Sequence, residues 1–225
     1  MALRSDASGD GVVFTGDMPA TLRPFSLCGW VNIRQDMGRY HSLVVIDCTD
    51  GTSWIEVDFR DTGTNFALVY YGGLGGVNPW YYERPLTGIS HNQYFFFALT
   101  LADGANQYPT LYWRAQSASA LTSYNQGNTS NTGNPVPSQI ALLHDPSTAT
   151  TWANAAMTGF RWWSSVKTAQ ELLAESYSLL PKSWSSNIIA APLVADVRDY
   201  SAFGKGRVGS ATGLAVEAGP PVRWR

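Results

Sequence analysis

The sharpest candidate for chemistry in this sequence is the segment Glu56-Val57-Asp58-Phe59-Arg60-Asp61, which holds three carboxylates. Alternation from Trp54 to Phe59 predicts a strand with Ile55, Val57 and Phe59 on one face and Glu56 and Asp58 on the other. Two acids would then point into one cleft, an arrangement from which acid and base catalysis is built. A bulge near Arg60 would let the carboxylate of Asp61 join them. Glycoside hydrolysis with retention requires carboxyl groups ~5 to 5.5 Å apart. The same pattern also describes a solvated strand face whose charges deter edge pairing.

A second set is aromatic. Tyr70-Tyr71 and Trp80-Tyr81-Tyr82 bracket a glycine-rich run, Gly72-Gly73-Leu74-Gly75-Gly76. Flat rings with polar tips suit sugar recognition, because a pyranose stacks its apolar face on them while its hydroxyls find hydrogen bonds. The rings equally suit contacts with another protein or with a second copy of this chain in a homo-oligomer, and ordinary core and rim packing is the plain alternative. The glycine run precedes Val77-Asn78-Pro79, which cannot start a helix to receive a phosphate, so it reads as a loop.

Metal and nucleophile chemistry have less to stand on. His41, His91 and His144 are scattered, no two at a metal-ligand spacing. Asp47, Asp50 and Asp145 are oxygen donors near predicted strand ends, but no dense acidic loop supports a hard cation. No local motif joins a Ser, a His and an acid. Cys28 and Cys48 are the two cysteines, too few for a disulfide framework or a zinc site. A hairpin centred near Gly38 would set them roughly opposite each other; the alternative is two buried free thiols.

The elements that must position these residues are mostly short strands separated by Gly, Asn, Asp and Pro. About eleven are expected, from Val12–Thr15 through Phe25–Ile33, Tyr94–Leu101 and Thr110–Ala115 to Thr158–Ser164 and a last one at Leu193–Arg198. No helix falls between successive strands, which is the pattern of a sandwich or barrel. Tyr94–Leu101 is apolar on both faces, as a central strand covered on both sides should be. The one convincing helix runs from Thr168 to Leu180, with Thr168 and Glu171 as a capping box. Its apolar stripe is Ala169, Leu172, Leu173, Tyr177 and Leu180, and Pro181 stops it. Gln116 to Gln139 reads as a long exposed loop.

Composition narrows the function classes. The 225 residues are 14% charged and 44% hydrophobic, with 9 Trp, 11 Tyr and 9 Phe, which argues against disorder. Lys plus Arg is 15 against 17 Asp plus Glu, without any block of like charge, so binding nucleic acid through its phosphates has no electrostatic footprint. No apolar run approaches the ~18 to 20 residues that cross a bilayer. The N-terminal residues lack the basic start and apolar centre of a secretory signal.

Read in order, these pieces resemble the laminin G-like, concanavalin A-like jelly-roll family found in many bacterial and bacteriophage proteins. Val12-Val13-Phe14-Thr15-Gly16 and then Phe25-Ser26-Leu27-Cys28-Gly29-Trp30-Val31 are similar to its opening strands. Phe96 to Gly104 followed by Leu111-Tyr112-Trp113 looks like its later strand pair, and Thr158 to Trp163 with Lys167 to Leu172 like its closing strand and short helix. The resemblance covers roughly residues 10 to 180, and a segment from Leu193 to Gly204 is similar to those that add a strand to such domains. It implies an all-β, antiparallel jelly-roll β-sandwich with one short amphipathic helix near the C-terminal third. The sandwich is expected over residues 1–180, with 181–225 an extension packing on or completing the same domain.

The resemblance also colours the site residues. Glu56 to Asp61 resembles the Glu-x-Asp-x-x-Glu signature of retaining glucanases in the same superfamily, where one carboxylate attacks the sugar and another donates the proton. Here the third acid is Asp61, one methylene shorter, and the flanks lack the Pro and Gly entry. The laminin G family sometimes binds calcium at strand ends, which makes Asp47, Asp50 and Asp145 its candidate ligands; no other cofactor is expected. Because the family also hosts lectins, adhesive modules and virion parts, the fold does not deliver the function. The expected function is that of a non-enzymatic bacteriophage protein, a capsid decoration or tail-associated adhesin assembled in the host cytoplasm. Its partners would be other virion or surface proteins and a glycan. A glycoside hydrolase using Glu56, Asp58 and Asp61, or a bacterial surface lectin, are the alternatives.

Overall fold

The computed structural model describes residues 1–7, 9–34, 39–61, 66–73, 80–104, 107–125, 133–147, 152–194, 196–201 and 209–220. In chain order the strands are β1 (Ala2–Ser5), β2 (Gly11–Thr15), β3 (Phe25–Ile33), β4 (Arg39–Cys48), β5 (Trp54–Asp61), β6 (Phe66–Gly73), β7 (Trp80–Pro85) and β8 (Tyr94–Leu101). There follow β9 (Thr110–Ala115), β10 (Thr122–Asn125), β11 (Pro137–Leu142), β12 (Ala155–Trp163), helix α1 (Ala169–Glu175), β13 (Asn187–Ala191), β14 (Ser210–Thr212) and β15 (Ala215–Glu217).

These strands form two antiparallel sheets, the jelly-roll sandwich that the sequence implies. One runs β10-β9-β8-β3-β12-β1-β15, with β13 also on β12; the other runs β14-β2-β11-β4-β5-β6-β7. Between them lies one apolar core, to which Phe14, Phe25, Phe59, Phe95, Phe97 and Trp162 all contribute. The alternation behind this is strict in β5, whose Ile55, Val57 and Phe59 enter that core. A second apolar cluster, with Cys28, Trp30, Phe96, Trp163 and Leu172, covers the outer face of the eight-stranded sheet beneath α1. Among the described residues, no helix is long and apolar enough to cross a membrane.

The expected pairing of the strands that carry the cysteines is corrected. β3 pairs with β8 and β12, whereas β4 pairs with β5 and β11, so the two lie in different sheets. Cys28 belongs to the outer cluster and Cys48 to the core, and both are free thiols. Burial pushes each thiol up to about 12.

Helix α1 starts where expected. Thr168 accepts from the Glu171 amide at 3.2 Å while Glu171 Oε2 accepts from the Thr168 amide at 2.7 Å, a complete capping box. It stops short of the expected end because buried donors take its last carbonyls: Trp30 Nε1 donates to Ser176 O at 3.1 Å, and Arg161 Nη1 donates to Glu175 O at 2.8 Å. Its buried residues are Leu172 and Glu175, not a wholly apolar stripe.

An acid on the buried face is explained by β12. That strand bulges between Thr158 and Arg161, where Gly159 takes φ 62°. The bulge turns Phe160 and Trp162 into the core and sets Arg161 outside, where Nη1 donates to Glu175 Oε2 at 2.7 Å. The other oxygen, Glu175 Oε1, accepts from the amides of Lys182 and Ser183 at 2.9 and 3.0 Å.

Two further expectations shift. Part of the Gln116–Gln139 segment is ordered sheet, since β10 pairs with β9 and β11 begins at Pro137. The strand expected at Leu193–Arg198 lies earlier, as β13 on β12, and Leu193 itself takes φ 52°. The chain beyond residue 180 supplies strands to both sheets: β13 pairs with β12, β15 with β1, and β14 with β2.

Candidate functional site

On the outer face of the seven-stranded sheet, β4, β5 and the segment after β11 enclose a cleft of about 420 Å³. Asp47 and Val45 come from β4, Trp54 and Glu56 from β5, and Asp145 and Ser147 from beyond β11. The order β11-β4-β5 is what brings Asp145 to Glu56, residues far apart in sequence.

Glu56 and Asp58 do share one face of β5, and both are sealed, at 3% and 1% exposed. Ser42 Oγ donates to Glu56 Oε1 at 2.7 Å, and Asp58 stands opposite Ser42 in the β4–β5 register. Burial first, then the charge of Glu56 and its hydrogen bond, pushes the Asp58 carboxyl well above the usual carboxylate range; Ser42 works the other way, and Asp145 adds to the rise. Asp58 Oδ1 has no hydrogen-bond partner among the described residues. A carboxyl sealed beside a second acid is held in its neutral form by the low dielectric.

Asp61 does not join them. The irregularity falls on β4, between Ser42 and Val44, while the β5–β6 register is unbroken from Trp54 to Asp61. Alternation therefore keeps Asp61 on the face of Val57 and Phe59, where His91 Nε2 lies 2.6 Å from its Oδ2. The three acids thus divide two and one across the sheet.

Each of the calcium candidates has local partners. Asp47 Oδ2 accepts from Gln139 Nε2 at 2.7 Å. Asp50 Oδ1 accepts from the amides of Thr52 and Ser53 at 3.0 and 2.8 Å and so closes the β4–β5 turn. The Ser53 hydroxyl, bonded to its other oxygen, leads the effects that hold the Asp50 carboxyl below its ordinary value. Asp145 Oδ1 accepts from the amide and hydroxyl of Ser147 at 2.8 and 2.7 Å. Among the described residues, no group of three or more His, Cys, Asp or Glu is arranged to hold a metal ion.

The expected aromatic contact residues sit on β6 and β7, the latter the last strand of its sheet. The register sets Tyr70 opposite Tyr82, Tyr71 opposite Tyr81, and Gly72 opposite Trp80. The side chains of Tyr70, Tyr71, Trp80, Tyr81 and Tyr82, and residues 74–79 between the strands, lie outside the described part.

Sequence reasoning missed two things. Trp54, which its pattern places as an ordinary strand residue, walls the carboxylate cleft. A larger hollow, about 680 Å³, lies on the opposite outer face, over the eight-stranded sheet, with Trp30, Asn32, Tyr94, Arg114 and Tyr177 in its lining. The aromatic-arginine composition of β9 was the available signal, but only the β3-β8-β9 order gathers these residues.

Comparison with solved structures places the fold. A native heptameric SAP-like pentraxin from Limulus polyphemus superposes with a TM-score of 0.63 at 7% identity, over 98% of this chain and 97% of that one. The enzymatically active domain of tailspike protein 2 of bacteriophage CBA120 gives 0.63 at 9% identity, over 86% of this chain but 32% of the tailspike chain. Laminin α1 domains LG4-5 from mouse give 0.52 at 10% identity, over 72% of this chain and 41% of that one. The chain thus spans about a third of the tailspike's length. No protein-family model matches the sequence, and no curated protein matches it.

Proposed function

We propose that this chain, whose fold is the laminin G-like, concanavalin A-like jelly roll, is a non-enzymatic structural or adhesive protein of a bacteriophage particle. As a capsid decoration or tail-associated module, assembled in the host cytoplasm, it acts by protein–protein contacts and by glycan binding. The observation that carries the non-enzymatic half is the sealed Glu56–Asp58 pair: at 3% and 1% exposed, neither carboxyl is open to the sugar carbon that must sit between acid and nucleophile. The phage half is supported by the shared fold with a phage tailspike domain, although that domain is described as enzymatically active. We assign the contacts to the tyrosine- and tryptophan-rich strands β6 and β7 at the edge of the seven-stranded sheet.

Mass spectrometry and antibody-labelled electron microscopy of purified particles test the location. The chain is expected in the particle, and its absence from every particle overturns the reading. A joint Trp80→Ala, Tyr82→Ala variant is expected to weaken attachment to the particle or to glycan; unchanged attachment removes β6 and β7 as the contact site.

Glycan hydrolysis is the second reading, and one observation favours it. Asp58 retains its proton above the usual carboxylate range, which is the state a general acid needs. Its 1% exposure argues the other way, since no glycosidic oxygen reaches it in this conformation. A polysaccharide panel decides: turnover abolished by Glu56→Gln would establish hydrolysis, and no turnover is the expected result.

A further inference from the structure

The hollow on the outer face of the eight-stranded sheet is built around a cation that has no anion among the described residues. Arg114, on β9, is 3% exposed. Its Nε donates to Ser176 Oγ at 2.8 Å, Nη1 to Ala118 O, and Nη2 to Ser176 O at 3.4 Å. Every one of these acceptors is neutral. The guanidinium lies over the rings of Trp30 and Tyr177, 5.1 and 4.5 Å from their centroids. A guanidinium carries five N–H donors, so two remain after these three bonds. Burial depresses its basicity, but an arginine does not discharge in a protein, and the charge stays.

Arg161 shows what this chain does with a buried guanidinium that serves structure alone: it receives the carboxylate of Glu175. Among the described residues, no such partner stands beside Arg114. A second unfilled group faces the same hollow. Asn32, on β3, is 7% exposed, and its side-chain oxygen has no hydrogen-bond partner among the described residues. At the rim Tyr177 is 47% exposed, with Arg114 packed against its ring.

We propose that this hollow binds a carboxylate-bearing sugar, such as a uronic acid unit of an acidic polysaccharide. The ligand's carboxylate neutralises Arg114 through the spare N–H groups, a ring hydroxyl donates to the Asn32 oxygen, and the apolar sugar face stacks on Tyr177. One guanidinium matches the single charge of a carboxylate. The flanking rings and the amide suit a sugar rather than inorganic phosphate, which would ask for more donors. A volume of about 680 Å³ is of the size that holds a small ligand. The proposal names the glycan class for the adhesive reading above and rests on it in that respect. Particle composition tests that reading alone, so the two can fail separately.

Calorimetric titration of the full chain with an oligoglucuronate, a neutral glucose oligomer of equal length and inorganic phosphate tests it. Saturable binding of the uronate is expected, at least tenfold tighter than the neutral oligomer and not displaced by phosphate. Tyr177→Ala, at an exposed ring, should lower that affinity at least tenfold, and Tyr177→Phe, which keeps the ring, should restore it. Asn32→Asp, which adds a like charge, should abolish binding. Equal affinity for both oligomers, displacement by phosphate, no binding of the uronate, or full affinity in Tyr177→Ala would each overturn the proposal.

Discussion

The two outer faces of the sandwich each bury a charge-bearing group, and they resolve the problem in opposite ways. On the seven-stranded face, Asp58 keeps its proton and leans on Glu56, so burial is made tolerable by neutralisation. On the eight-stranded face, Arg114 has no comparable escape and spreads its charge over two rings and three neutral oxygens. The difference follows from chemistry. A carboxyl becomes neutral within reach of ordinary pH, whereas a guanidinium does not. A buried acid cluster is therefore a poor guide to a working site, and an unmatched arginine is a better one.

The sharpest way to break this comparison is to turn Arg161 into a second Arg114. Glu175→Gln removes the carboxylate while keeping the shape, and should destabilise the fold by about 3 to 5 kcal/mol in urea unfolding. Arg114→Met deletes hydrogen bonds and ring contacts but no ion pair, and should cost about 1 to 3 kcal/mol in the same assay. An Arg114 loss as large as that of Glu175→Gln would mean that the two arginines are held alike.

On the acidic face the test is pH. The folded chain keeps the Asp58 proton where the unfolded chain has released it. Stability is then fully present in acid and falls as pH rises from the unfolded carboxyl value, ~3.9, to the raised folded one, by at most about 1.4 kcal/mol per pH unit for one proton. Asp58→Asn should flatten this part of the profile and make the variant relatively more stable at pH 8 than at pH 5, read by denaturant midpoints. A slope that Asp58→Asn leaves unaltered would show that the pair does not hold that proton. The smallest effect is expected at the start of α1, where Thr168→Ala removes the cap at about 1 kcal/mol in thermal unfolding.

How far the sequence foretold this structure varies with the reach of the force involved. Phe25–Ile33, Tyr94–Leu101 and Thr110–Ala115 were readable to the residue, because their apolar pattern and turn residues act locally. Short strands such as β10, β14 and β15 carry almost no buried pattern and owe their existence to the strands they edge. The facing of Glu56 and Asp58 came from alternation, but the exclusion of Asp61 depended on which strand of the β4–β5 pair holds the irregularity. Helix α1 was shortened by Trp30 and Arg161, donors from distant strands that no local pattern announces. The Arg114 hollow was invisible for the same reason, since β3, β8 and β9 must first be laid side by side.

Gly159 carries a burden greater than its size. Residues before it on β12 face inward at odd numbers, as with Ala155 and Met157, and residues after it at even numbers, as with Phe160 and Trp162. Keeping that residue but forcing it into the regular extended run would carry the odd-number count through the whole strand. It would drive Arg161 into oil and two aromatic rings toward the helix. The facing of the interior hangs on one residue without a side chain, and a Cβ there would meet Arg161 Nη2 at 3.1 Å, so natural variants of this chain should tolerate a change of residue in its loops long before they tolerate one there.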